Sequence, residues 1–203
     1  MSYHHGDLKN ALIEAGADIL SKEGVAGLSL RKVAQRAGVS HAAPYAHFAD
    51  KQALIAAIST EGYRRLQVSV RAAVEAHAKD PAAQLVAACW AYLQFALNEP
   101  DYFKVTLSGV VEMEKQYPSF VEVSHQSFDM VVALVQDCQA AGVLPPGPAD
   151  VGAVTVWSLV HGLALLILED QVPSAVLNRI SLGELLHTVL SRIALAPLPT
   201  VPA

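Results

Sequence analysis

The sequence predicts an all-α protein of two domains. Apolar residues recur at intervals of three and four along most of its 203 residues, which is the spacing of one helix face. Serine, aspartate or proline stands where many of these segments begin, and glycine follows several of them, as at helix ends. No run of alternating β-branched residues indicates a sheet. We predict an N-terminal three-helix domain, residues 5–65, and a C-terminal helical domain, residues 66–196.

The first predicted helix carries an apolar stripe. Leu8, Leu12 and Ile19 lie on one face of it, Asp7 can cap its start, and the pattern stops at residues 22–24.

Residues 29–51, SLRKVAQRAGVSHAAPYAHFADK, predict two short helices joined by a tight turn. Ser29 can cap the first helix, and Gly38 can take the left-handed conformation that ends it. Ser40 can cap the second helix. Pro44 lies early in that helix, where the backbone N–H groups have no intrahelical partner, so it costs little. A pair of this kind is built to place one helix in a DNA groove.

The remainder of the chain also reads as helical. Asp50 can cap a long helix that runs to about Ala78. Proline and capping signals predict further helices at about 81–98, 100–107, 118–141, 150–170 and 181–194. The last residues, ALAPLPTVPA, predict a frayed tail.

Charge distribution makes the first domain the candidate for contact with nucleic acid. The whole chain has a net charge of −5. Residues 1–65 hold eight Lys/Arg and six Asp/Glu, a net +2, whereas the remainder holds six and thirteen, a net −7. Side chains that can reach phosphates and base edges surround the helix pair; they are Arg31, Lys32, Arg36, His41, Tyr45, His47 and Lys51. The alternative, an ordinary hairpin in a helical core, has no need of these groups.

Three segments of the first domain, YHHGDLKNALIEAGADIL, EGVAGLSLRKVAQRAGVS and PYAHFADKQALI, carry a family resemblance. They resemble the DNA-binding domain of the TetR (tetracycline-repressor-like) family of bacterial transcription regulators. One position departs from the usual pattern, because the family often has leucine or isoleucine where Pro44 stands; an Ala-Pro-Tyr variant also occurs in the family.

The resemblance implies a homodimer that reads a pseudo-palindromic double-stranded DNA operator with the third helix in the major groove. It implies base contacts for His41, Ala42 and Ala43, base or backbone contacts for Tyr45 and His47, and phosphate contacts for Ser29, Ser40 and Lys51; Arg31 joins them as a group that can reach DNA. Lys51 has a further physical reason, because the N-terminus of its helix also favours an anion.

The C-terminal domain is predicted to hold a small-molecule effector pocket. The candidate lining residues are Trp90, Tyr92, Phe95, Tyr102, Phe103, Phe128 and Trp157, with His161 as a polar group. For each aromatic residue the alternative is plain helical core. The few cations in this domain disfavour a strongly anionic effector. Residues 156–167, VWSLVHGLALLI, resemble the signature helix of one C-terminal subclass of the family, the Trp-His-Gly (WHG) subclass.

Residues 151–168 carry no charge and are long enough to cross a membrane. Against that interpretation, His161 and Gly162 place a polar and a small group along the helix, and Asp150 and residues 169–170 flank it without a basic cluster. We interpret the segment as a dimer-interface helix packed on both sides, with the last helix beside it. A tail-anchored membrane protein remains the alternative.

Other functional classes find little support in the sequence. No nucleophile–base arrangement, glycine-rich phosphate loop or set of metal ligands stands out, so we expect no enzyme, no cofactor and no metal site. Cys89 and Cys138 lie in apolar helical contexts typical of buried reduced thiols. The polar start MSYHHGDLKN is unlike a secretory signal. We therefore expect a cytoplasmic repressor that a small molecule releases from its operator.

Overall fold

The computed structural model of the chain describes residues 5–107, 109, 111 and 117–201, and all regular structure within these ranges is helical. The predicted all-α fold is confirmed. In chain order the helices are α1 His5–Gly27, α2 Leu30–Arg36, a 3₁₀ turn Ala43–Ala46, α3 Lys51–Glu75, α4 Pro81–Asn98, α5 Pro100–Thr106, α6 Pro118–Ala140, α7 Ala149–Leu168, α8 Ser174–Leu177 and α9 Leu182–Leu190. The observed ends differ from the predicted ones by a few residues, as is usual for helix termini.

Packing divides the chain into two compact units. The first comprises the described residues up to Arg64 together with those from Glu99 to Ser124, and the second comprises residues 65–98 with the described residues from 125 onward. The sequence offered no sign that residues 99–124 pack with the N-terminal third. The predicted boundary at 65/66 remains a prediction about domains in the linear sequence.

The first unit is built around α1. Leu12 and Ile19 of α1 are fully buried, as are Leu54, Ile55 and Ile58 of α3. Helix α5 packs along α1 more extensively than α2 does. These contacts fix the platform from which the helix pair after residue 29 projects.

Local signals in the sequence explain where the helices of the first unit begin and end. Gly24, with φ 67°, interrupts α1 close to its end. The Ser29 hydroxyl accepts a hydrogen bond from the backbone N–H of Lys32 at 3.2 Å and caps α2. Gly38, with φ 70°, ends the turn after α2, and the Asp50 carboxylate accepts from the N–H of Ala53 at 2.8 Å and caps α3. The roles of Ser29, Gly38 and Asp50 are as predicted from residue type, and the end of α1 near Gly24 is as predicted from the apolar pattern.

The predicted second helix of the pair is instead a 3₁₀ turn, and Ser40 does not cap it. The turn begins after Ala42 without any side-chain cap. In an α-helix the N–H of residue 44 would donate to the Ser40 carbonyl, but proline has no N–H. The N–H of Ala43 donates to that carbonyl at 3.0 Å instead, and the N–H of Tyr45 donates to Ala42 at 3.2 Å. The missing donor therefore tightens the segment into i→i+3 bonds.

The second unit packs α7 against α4 and α9. Helix α9 begins with the predicted capping box, in which Ser181 and Glu184 exchange hydrogen bonds. After α9 the chain returns to the turn that precedes α7, where the N–H of Leu195 donates to the carbonyl of Val143 at 2.8 Å. The end of α9 therefore lies beside the start of α7.

The predicted frayed tail is wrong for the residues after α9. His187 Nε2 lies 3.1 Å from the carbonyl of Leu198, and because a carbonyl only accepts, the imidazole donates. Val201 covers Gly183, where a Cβ would lie 3.2 Å from the Cβ of Val201. The segment is thus a strap along one flank of α9. Its prolines suit an extended chain that needs few backbone donors.

Candidate nucleic-acid interface and effector region

Two ion pairs hold α2 against α1. Arg36 pairs with Asp18, and Lys32 pairs with Glu23. Both pairs are partly exposed, so each adds little stability, but together they set the position of α2. Lys32 and Arg36 are two of the groups that the sequence predicts can reach DNA. In this structure both are engaged within the protein.

The predicted DNA contacts differ in accessibility. Arg31, Ser40, His41 and Ala42 are exposed, and Tyr45 is 62% exposed. Ala43 and His47 are half-buried, because Pro44 and Phe48 between and beside them pack into the core of the unit; the ring centroids of His47 and Phe48 are 6.2 Å apart. Ser29 is exposed, although its hydroxyl already caps α2. A tight turn therefore presents His41, Ala42 and Tyr45 outward.

Lys51 lies at the N-terminus of α3, half-buried, with its ammonium donating to the carbonyl of Val25 at 3.1 Å. An ammonium has three donors, so the Val25 contact leaves two for an anion. The capping carboxylate of Asp50 occupies one of the helix N–H donors. Fewer backbone donors are therefore available to an anion at the start of α3 than the sequence predicts.

The contacts of α5 with α1 and with α3 were not predicted from the sequence. The Ser21 hydroxyl donates to the carboxylate of Asp101 at 2.6 Å. On α3, Gly62 lies against α5, and a Cβ built there would overlap the hydroxyl of Thr106 and lie 3.1 Å from its Cβ. A glycine inside a helix, otherwise unfavourable, was the one available signal of this close approach.

Three of the predicted effector residues form a hydrogen-bonded group in the second unit. Trp157 Nε1 donates to the hydroxyl of Tyr92 at 3.2 Å, and that hydroxyl lies 2.8 Å from His161 Nδ1. An indole N–H can only donate, so the hydroxyl accepts from Trp157, and the direction of its bond with Nδ1 follows the tautomer of the imidazole. Burial lowers the pKa of His161 below its ordinary value of 6.5, which favours the neutral ring.

The other predicted effector residues are dispersed. Phe95 is buried in α4, while Trp90 and Phe128 are half-buried in the second unit. Tyr102 and Phe103 are buried in the first unit, where they contribute to its core. A groove of about 480 Å³ in the second unit is lined by none of these residues; Val135, Leu144, Pro148, Val151, Arg192 and Leu195 are among those that line it.

Helix α7 presents one buried and one exposed face. Ala153, Val156, Val160, Leu163 and Ala164 are buried within the unit. The opposite face carries exposed apolar or small residues; they are Val151, Val154, Thr155, Ser158, Leu165 and Leu166. Gly162 lies among them and is half-buried, and a Cβ built there meets no atom within 4 Å. Among the described residues this is the one helix long and apolar enough to cross a membrane, judged by length and composition alone.

The described cysteines and metal-ligating side chains indicate neither a reactive thiolate nor a metal site. Burial raises the pKa of Cys89 and of Cys138 to about 12, so neither forms a reactive thiolate near neutral pH. The described residues contain no group of three or more side chains that could hold a metal ion.

Two regions of the chain match known protein families. Residues 12–58 match the family of bacterial regulatory proteins called the tetR family. Residues 85–189 match the tetracyclin repressor-like C-terminal domain, and this second match alone covers half of the chain.

Individual proteins agree with the family matches. An uncharacterised HTH-type transcriptional regulator of Bacillus subtilis, YobS, is 25% identical over 171 residues, 84% of each chain. The class A tetracycline repressor from transposon 1721 of Escherichia coli is 46% identical over 50 residues, 25% of this chain and 23% of the repressor. A solved structure of a protein of unknown function from Rhodococcus sp. RHA1 is 33% identical, with a TM-score of 0.75 over 96% of this chain and 99% of that one.

Proposed function

Because the chain belongs to the TetR family of bacterial regulatory proteins, a family of DNA-binding, non-enzymatic transcription regulators, we propose that it is a repressor that a small molecule releases from its operator. The observation that carries the proposal is the outward-facing turn after α2, with His41, Ala42 and Tyr45 exposed on a platform fixed by α1. Operator DNA lies in the cytoplasm, so we place the protein there.

The proposed DNA contacts follow from accessibility and chemistry. His41, Ala42 and Ala43 meet base edges, and Tyr45 and His47 meet bases or the backbone. The phosphates are contacted by Ser29, Arg31, Ser40 and Lys51. Because the segment is a short 3₁₀ turn, only one turn of backbone enters the DNA groove. Its side chains therefore contact the edges of only a few base pairs.

We propose that the exposed face of α7 is the dimer interface, with α9 beside it. Family membership implies dimerisation, and an apolar helix face in the open is otherwise a liability in water. Gly162 has open space beyond its Cα, so a second helix can approach there closely. A partner on this face also accounts for the apolar composition of α7 without a membrane.

The effector site is proposed in the second unit around Trp157, Tyr92 and His161. Their hydrogen bonds hold the imidazole of His161 in a defined orientation, which gives the site an oriented polar group among aromatic surfaces. Trp157 and His161 of α7, with Gly162 directly after the histidine, form the Trp-His-Gly pattern. On this basis we propose that the chain belongs to the Trp-His-Gly subclass.

Selection of bound DNA from a random pool, followed by footprinting, tests the function. We expect two inverted half-sites about one helical turn or a few more base pairs apart, because a twofold dimer carries two reading heads. A single unrepeated half-site, or no selected sequence, contradicts the proposal. Metabolite fractions are then screened for compounds that lower the affinity of the protein for operator DNA. By linkage, DNA must lower the affinity for a true effector by the same factor. Protein that is recovered in the membrane fraction contradicts the cytoplasmic assignment.

A further inference from the structure

The exposed face of α7 is arranged symmetrically about its centre. Bulky residues lie toward both ends, with Val151 61% and Leu166 49% exposed, and the small residues Thr155, Ser158 and Gly162 lie between them. The midpoint falls between residues 158 and 159. A twofold axis there brings Thr155 opposite Gly162 and Val151 opposite Leu166 of the partner if the two copies of α7 run antiparallel.

The two ends of this face differ in charge. Glu169 and Asp170 follow the C-terminus of α7, where negative charge is unfavourable to the helix dipole. At the other end the acid Asp150, in the first turn of α7, is accompanied by the exposed cation Arg192, which lines the same groove as Val151. Within the described part of the chain neither Arg192 nor Asp170 makes an ion pair.

Charge distinguishes the two ways of pairing α7. A parallel pair would set the Glu169–Asp170 end against the same acids of the partner, which is repulsive. An antiparallel pair sets that end against the groove, since Pro148 and Glu169 lie equally far from the midpoint. The antiparallel dimer therefore avoids the repulsion between the two acidic ends, and it brings Arg192 of each copy to the acidic end of the other copy's α7.

We propose that the groove beside Arg192 receives the Glu169–Asp170 end of α7 from a second copy of this chain, so that an ion pair closes each end of the dimer interface. The proposal rests on the α7 interface proposed above and adds what fixes its register. Rim charges act mainly on partner selection and association rate, so selectivity is the property to measure.

A charge-swap experiment tests the ion pairs. One variant carries Arg192→Glu; the other carries Glu169→Lys with Asp170→Asn, because asparagine tolerates the positive φ of 51° at that position. Each homodimer then places like charges together, whereas the mixed dimer has opposite charges at both ends. We expect each variant alone to dissociate roughly tenfold more readily, and an equimolar mixture to form mostly mixed dimers. Added salt should reduce both effects.

Lys79→Glu, an exposed lysine in the turn before α4, is the matched control for the charge change and should leave dimerisation unchanged. A mixture with the random distribution, in which about half the dimers are mixed and the homodimers resemble wild type, overturns the proposal. Gly162→Leu separates this failure from that of the interface itself. If that variant is monomeric while the swap has no effect, α7 is the interface and the end contacts are wrong. If it stays dimeric, the interface assignment falls, and the ion pairs fall with it.

Discussion

The hydroxyl of Tyr92 lies 2.8 Å from Nδ1 of His161, and this contact joins α4 to α7 through a group that can both accept and donate. The hydroxyl accepts from the indole of Trp157 and forms a second hydrogen bond with the imidazole. Tyr92 is buried, whereas Trp157 is 38% exposed. The contact therefore couples a buried position on α4 to a residue at the edge of the proposed dimer face.

Replacing Tyr92 with phenylalanine tests this coupling. The change keeps the ring and removes the oxygen, so both Trp157 Nε1 and His161 Nδ1 lose a partner. We expect a loss of about 1–3 kcal/mol in the free energy of unfolding, the usual cost of leaving partly buried polar groups unsatisfied. Denaturant unfolding measures the loss. Tyr45→Phe, at an exposed tyrosine, is the control and should have no effect on stability.

The lowered pKa of His161 predicts a stability that depends on pH. The folded protein binds this proton less readily than the unfolded chain does, so the unfolded state gains protons first as the pH falls below about 6.5. The stabilising contribution is therefore complete above pH 6.5 and is lost toward the lower folded pKa. Melting temperatures between about pH 8 and pH 5 for wild type and His161→Gln test it, and the wild type should show the steeper decline. Equal pH dependence of the melting temperature in both proteins would show that His161 does not contribute to it.

The crossing of α3 and α5 predicts a strong effect of Gly62→Ala. The new methyl overlaps the Thr106 hydroxyl, so the helices must separate, and we expect about 1–3 kcal/mol of destabilisation despite the better helix propensity of alanine. Thr106→Ala removes the overlapping hydroxyl, which is buried and makes no hydrogen bond within the described part of the chain. The double variant should recover much of the loss. Additive effects of the two changes in denaturant unfolding would show that the two residues do not interact.

Local signals allowed much of this fold to be predicted, because they act within a few residues. The caps at Ser29, Asp50 and Ser181 and the left-handed Gly38 follow directly from residue type. The 3₁₀ turn was also within reach, since Pro44 removes a specific backbone donor, but an early proline is equally compatible with an α-helix.

Long-range packing could not be predicted in the same way. The association of α5 with α1 includes the contact between Ser21 and Asp101, eighty residues apart, and neither residue stands out in the sequence. Aromatic residues at helical spacing likewise predict burial without saying in which unit, so Phe103 and Phe95 were assigned to one pocket although they lie in different units. Tyr92, Trp157 and His161 are three of the eight predicted pocket residues, and the hydrogen bonds that group them are visible only in the structure.

Lys51→Ala tests the proposed phosphate contact. If the ammonium binds a phosphate, the variant should weaken binding to all DNA sequences alike and reduce the slope of log affinity against log salt by about one unit. The Val25 contact means that the free energy of unfolding must be measured as well, since its loss can lower the fraction of folded protein. Lys22→Ala, at an exposed lysine paired with Asp18, is the control. An altered base preference would show that Lys51 reads bases instead.

The dimer interface is tested on the exposed face of α7. Gly162→Leu fills the space that a close helix crossing requires, and Leu166→Arg places a charge on a residue that is 49% exposed in the single chain. Both variants should sediment as monomers with nearly unchanged helix content, and both should lose operator affinity, because one reading head holds only one half-site. Leu163→Arg makes an instructive contrast, since Leu163 is only 7% exposed within its own unit and an arginine there should unfold the chain before it separates the dimer. Dimers that persist in both Gly162→Leu and Leu166→Arg would move the interface to another surface of the second unit.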